Sequence, residues 1–225
     1  MGRAHKPRSG SLQFYPRCRA KRQYPRIKTW NKKQDIKLLG FAGYKADMTH
    51  LMATDNNPNS LTKGEEIVCP ATIIECPPLK VAGVRFYTKD AYGIKTFTQI
   101  MHDKPDKELS RTISQPKKIH QTFDSVSQQN IHDIKLLVHT APKQTTIGKK
   151  KPELFEVALG GNNAEKLAYA KNMIGKEIKI NDVFSEGQQI DAHSISKGKG
   201  YQGPVKRFGI NIRSHKSEKT KRGPG

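Results

Sequence analysis

Apolar residues, aromatics, acids and cysteines are all in short supply in this sequence. Of 225 residues, 34% are apolar and 7% aromatic, so part of the chain is expected to lie outside a packed core. No apolar run approaches the roughly 18 to 20 residues that span a bilayer. Met1 to Lys33 contains no apolar block of the kind that forms the centre of a signal peptide. A membrane partner is therefore not expected, and a cytoplasmic location follows by default. The three cysteines, Cys18, Cys69 and Cys76, are odd in number and lack CxxC spacing, so they read as reduced thiols. A zinc site needs four converging ligands, and the spacing offers none.

Catalytic patterns are missing as well. HExxH, GxSxG and P-loop spacings do not occur. Asp47 and His50 lie three apart and would share a face if the segment were helical, but such a lone pair is usually structural. His132 and Asp133 are adjacent, so their side chains diverge on an extended chain. Gly198, Gly200 and Gly203 have GxGxxG spacing, but they open no clear amphipathic helix after a strand and are followed by Pro204, so the nucleotide-binding signal is weak. No catalytic residue, metal site, cofactor or small-molecule substrate is expected.

What the sequence has in excess is positive charge. Forty-one Lys and Arg face 20 Asp and Glu, a formal net charge of +21. Such a surplus repels itself in a compact isolated fold and calls for a polyanionic partner. It is unevenly placed. Met1 to Gln34 carries eleven bases and no acid, and Lys197 to Gly225 carries nine bases against Glu218 alone. The two arms hold +19 of the +21, and Asp35 to Ser196 is nearly neutral at +2. In the first arm, Pro7, Pro16 and Pro25 interrupt any helix, and Phe14, Tyr15, Tyr24 and Trp30 alternate with bases. Cations neutralise phosphates while flat rings and guanidinium planes stack on splayed bases. In the second arm, glycines let the backbone come close to a phosphate beside Lys197, Lys199, Lys206 and Arg207.

The middle reads as short strands: Ile36–Ala42, Ala71–Glu75, Val81–Tyr87, Ile94–Thr98 after a turn at Thr88–Gly93, Ile134–His139, Leu154–Leu159 and Gln189–Ile195. Such a set favours a barrel or a sandwich. Asn162 or Asn163 caps a helix running to Ile174 and stopped by Gly175. A second helix is expected between Pro116 and His132, in a polar insertion. The loop Ala141–Pro152, with Lys143, Lys149, Lys150 and Lys151, is a candidate RNA contact.

Several motifs, taken in order, resemble one family. They are Gly10-Ser11-Leu12 with Pro16-Arg17 and Ala20-Lys21-Arg22, then Phe41 to His50 (FAGYKADMTH), Thr72 to Pro78 (TIIECPP), Lys149 to Pro152, Gly160-Gly161, and Ser196 to Gly209 (SKGKGYQGPVKRFG). The chain is similar throughout to the universal ribosomal large-subunit protein L-three family, in its archaeal and eukaryotic form. The resemblance implies a mainly β fold with α insertions: a translation-protein-type β-barrel, incomplete here, with irregular basic extensions. Family members usually have Gly at the position of Asp47. The family also continues past the position of Gly225, and the missing part would close the barrel.

The expected organisation is an N-terminal RNA-binding extension over 1–34, a first barrel part over 35–100 and a helical insertion over 101–132. A second barrel part over 133–196 and the start of a central extension over 197–225 complete it. The implied function is that of a structural constituent of the large ribosomal subunit. It would bind rRNA, support early assembly and send extensions towards the peptidyl-transferase centre. The partners would be large-subunit rRNA and neighbouring ribosomal proteins, with no enzymatic activity. The alternatives are a general RNA chaperone or chromatin-like packing protein, and an RNA-modifying enzyme whose pocket the sequence does not reveal. The rRNA-binding candidates are Arg3, Lys6, Arg8, Arg17, Arg19, Lys21, Arg22, Arg26, Lys28, Trp30, Lys45, Lys149, Lys150, Lys151, Lys197, Lys199, Lys206, Arg207, Arg213, His215, Lys216, Lys219, Lys221 and Arg222.

Overall fold

A computed structural model describes residues 11–15, 18–31, 33–114, 122–123, 126 and 131–212. The chain divides into two compact units. One comprises 27–189, and the other joins 1–26 to 190–225.

The larger unit is built on antiparallel strands. β1 (Tyr44–Thr54) and β2 (Glu66–Glu75) form a two-stranded ribbon. β3 (Leu79–Asp90), β4 (Gly93–Met101), β5 (Asp133–His139) and β6 (Leu154–Ala158) form a second sheet in the order β4-β3-β5-β6. β7 (Glu177–Ile178) pairs with the start of β3. Alternation along β3 sets the core. Leu79, Val81, Val84 and Phe86 are buried; the last three register with Val138, Leu136 and Ile134 of β5, and Leu79 with Ile178 of β7. A register shift between Val81 and Gly83 keeps both halves of β3 facing the same core. Gly83 permits the close approach of β4, since a Cβ there would lie 2.4 Å from the Ile100 carbonyl oxygen. α1 (Asn163–Met173) closes the core with Ala170 fully buried. Its first turn is fixed by the Asn162 N–H donating to Glu165 Oε2 at 3.1 Å. Gly175 ends it at φ +76°.

Most strand expectations and the α1 helix are met, and three differ. Ile36–Ala42 is not a strand: Leu38 makes a single bridge to Leu159. Its apolar residues reflect burial of Leu38 and packing of Phe41 and Ala42 against the core, while the backbone finds no ladder partner. The strand that follows runs from Tyr44 and is almost wholly exposed. Gln189–Ile195 also joins no sheet, and Ile190 and Ile195 face solvent. The mainly β, antiparallel architecture is present, but neither sheet closes on itself among the described residues, so the barrel is not seen. Most of Pro116–His132 lies outside the described residues; the preceding Lys107–Arg111 is a 3-10 turn capped by Asp106.

Asp47 adopts no strained backbone, because no described non-glycine residue has positive φ. Its Oδ1 instead accepts from the Met48 N–H at 2.7 Å beside a β-bulge. Asp47 and His50 lie on a strand rather than a helix, so three-residue spacing sends their side chains to opposite faces.

Candidate nucleic-acid interface

In the larger unit, cations meet carboxylates. Lys80 Nζ lies 3.1 Å from Asp106 and 3.4 Å from Glu177. Lys143 reaches Glu108 and Lys166 reaches Asp133, each at 2.7 Å. Lys95 pairs with Asp90. On the sheet face opposite the core, Arg85 and the Tyr87 hydroxyl both donate to Glu156. Burial, aided by the Glu156 carboxylate, pushes the Tyr87 hydroxyl up to about 12. Lys135 lies over the same ring at 4.6 Å. Burial pushes the Asp106 carboxyl upwards, but hydrogen bonds from Lys80 and the Glu108 N–H outweigh it and hold the group below its ordinary value. Asp133 is likewise structural, accepting from Lys166 and from the Ile134 N–H.

The Lys149–Lys151 run splits. Lys149 turns inward, pairing with Glu153 and lying 5.9 Å from the Tyr44 ring centroid. Lys150 and Lys151 are exposed. Lys28 and Lys45 are exposed on this unit too. Trp30 belongs to the same unit, where its ring packs against the core and over Gly40. A Cβ at Gly40 would meet the ring at 3.0 Å.

The smaller unit brings together the two basic arms, which are remote in sequence. Ser11 caps a short 3-10 turn at Leu12–Phe14. α2 (Pro204–Phe208) begins with Pro at its first position and ends at Gly209, φ +60°. The Arg207 guanidinium lies 5.1 Å from the Tyr15 ring and 5.3 Å from the Phe208 ring, so one cation joins both arms. Arg22 lies 5.4 Å from the Tyr24 ring. Arg19, Lys21, Arg22, Arg26, Lys197, Lys199 and Lys206 are exposed. Among the described residues, no lysine or arginine of this unit pairs with a carboxylate. Arg3, Lys6, Arg8, Arg17, Arg213, His215, Lys216, Lys219, Lys221 and Arg222 lie outside the described residues.

Sequence reasoning passed over Tyr201, whose ring is 98% exposed. The available signal was its place inside the basic, glycine-rich run KGKGYQG. Among the described residues, no cluster of three or more His, Cys, Asp or Glu could hold a metal ion. No described helix is long and apolar enough to cross a membrane.

The model of the family described as Ribosomal protein L3 matches residues 1–225. Among curated relatives, the "Large ribosomal subunit protein uL3" of Methanobrevibacter smithii is 46% identical over 99% of this chain and 68% of its own length. That of Methanosphaera stadtmanae is 47% identical over 98% and 67%. That of Methanocaldococcus jannaschii is 43% identical over 92% and 64%, so the chain spans about two thirds of the relatives it matches. With a family match running from the first basic arm to the last, the chain belongs to the Ribosomal protein L3 family.

Proposed function

We propose that this chain is a structural constituent of the large ribosomal subunit, located in cytoplasmic ribosomes, that binds rRNA through its basic arms. It is not an enzyme. In this reading it supports early subunit assembly and sends its arms towards the peptidyl-transferase centre, with neighbouring ribosomal proteins as further partners. Beyond family membership, the observation that carries the reading is the charge partition, in which +19 of +21 sits in two arms around a nearly neutral body. Unpaired cations beside flexible glycines suit phosphate neutralisation and counterion release.

The open sheets fit a barrel completed by further strands. Met48, Leu51, Met52, Val68, Ile73 and Ile74 of the ribbon are all exposed, and an unpaired apolar ribbon is what a missing sheet neighbour would leave. The reading is tested by expressing tagged protein in an archaeal host and sedimenting a low-salt lysate. Co-sedimentation with large subunits is expected. Protein that runs apart from them, or that binds unrelated duplex DNA as tightly as large-subunit rRNA, would sink it.

A further inference from the structure

The arms hold several aromatic rings, and most are occupied. Tyr15 and Phe208 flank Arg207, Tyr24 lies under Arg22, and Trp30 packs against the core. Tyr201 differs: its ring is 98% exposed and, among the described residues, has no aromatic or cationic neighbour. Its setting is equally open. Every residue from Asp191 to Gly200 is exposed, including Lys197 and Lys199. Gly200 turns the chain at φ +65° immediately before the tyrosine, and a Cβ at Gly198 or Gly200 would meet nothing within 4 Å. On the other side, Gly203 and Pro204 start α2, where the Arg207 N–H donates to the Gly203 carbonyl at 3.0 Å. The ring thus stands between an exposed cationic run and a helical turn.

We propose that Tyr201 is a base-stacking residue: its ring receives an unpaired nucleobase of the RNA whose phosphates Lys197 and Lys199 neutralise. The inference rests on the reading that the arms meet rRNA. A flat ring stacks on any base, and nearby cations hold the strand's backbone. A tyrosine ring is large and apolar enough to gain from being covered. Tyr92 supplies an internal control. It is 101% exposed at the β3–β4 turn, but it stands beside the Lys95–Asp90 ion pair rather than in a cationic run.

The test measures equilibrium binding of the full chain to a large-subunit rRNA transcript across a salt series. Replacing Tyr201→Leu is expected to weaken binding by about 5- to 150-fold, the range for losing one stacked base. The slope of log K against log salt stays unchanged, because no phosphate contact is lost. Tyr201→Phe retains affinity, and Tyr92→Leu binds as wild type. Ultraviolet cross-linking of the wild type is expected to join Tyr201 to a base. Wild-type affinity in Tyr201→Leu, or a changed salt slope, overturns this inference alone. A wild type that does not bind the transcript removes the ribosomal reading, and this inference with it.

Discussion

The sheet around β3 and the paired arms use the same cationic side chains in opposite ways. In the sheet and the segments packed around it, Lys80, Arg85, Lys95, Lys143, Lys149 and Lys166 each reach a carboxylate. In the arms, Arg22 and Arg207 rest on aromatic rings while Lys197, Lys199 and Lys206 point to solvent. The role of a lysine is thus set by whether an acid lies within reach. A body whose charges cancel can fold without a partner. Arms whose charges do not cancel gain most from a polyanion.

Changes to the body's core and internal polar contacts should alter stability and leave RNA affinity alone, beginning with the core. Phe86 is fully buried and meets Phe123 edge-on, with ring centroids 6.5 Å apart. Phe86→Ala is expected to cost about 3–5 kcal/mol in denaturant unfolding. A loss under 1 kcal/mol would show that this side chain is not the centre of the core. Next is the half-buried polar face. Glu156→Gln leaves Arg85 and Tyr87 without their shared carboxylate, at a cost of about 1–3 kcal/mol. In a phenolate absorbance titration, the Tyr87 hydroxyl should then ionise below its present value of about 12. Burial remains, so it should stay above the ordinary 10; an unmoved titration would mean that burial alone sets it.

His139 makes the body sensitive to acid. Burial pulls its imidazole below the ordinary 6.5, against the opposing hydrogen bond to the Thr140 carbonyl and the charges of Asp106 and Glu108; Lys80 reinforces the drop. The unfolded chain therefore takes up this proton first. Stability is full above about pH 6.5 and falls as the pH drops below it. His139→Gln should flatten the fall in Tm between pH 7 and 5.5, and an unchanged profile would assign it to other groups.

The smallest effect belongs to the clasp between the arms. Arg207→Ala and Tyr15→Leu should each weaken rRNA binding by about two- to fivefold, the worth of an exposed cation–π contact. The double variant should lose little more, whereas additive losses would show the two residues acting separately.

Legibility followed the kind of signal each element carries. β3, β5 and β6 were readable because alternating or continuous apolar residues are what a half-buried or buried strand requires, and α1 because Asn162 and Gly175 mark its ends. The β1–β2 ribbon was harder to place, since its apolar residues lie exposed and carry no core-facing pattern. Leu38 and Phe41 misled in the other direction, since burial without a ladder partner mimics a strand. At the interface, charge placement was legible at the level of whole arms. The fate of single residues was not. Lys149 turns to Glu153, four residues on but outside any helix whose spacing would announce the pair, and Trp30 packs over Gly40, ten residues on. The convergence of Tyr15 with Arg207, far apart in the chain, was equally invisible.

The central claim is that the unpaired cations of the arms, not the carboxylate-paired cations of the body, hold the RNA. It is tested most directly by the salt dependence of binding to a large-subunit rRNA transcript in two triple variants. Lys197, Lys199 and Lys206, all changed to Gln, should reduce the slope of log K against log salt by roughly 2 to 3, on the order of one lost counterion per phosphate contact. Lys80, Lys143 and Lys166, changed in the same way, should lower stability and leave that slope as it was. A slope that falls with the body triple and survives the arm triple would contradict the account.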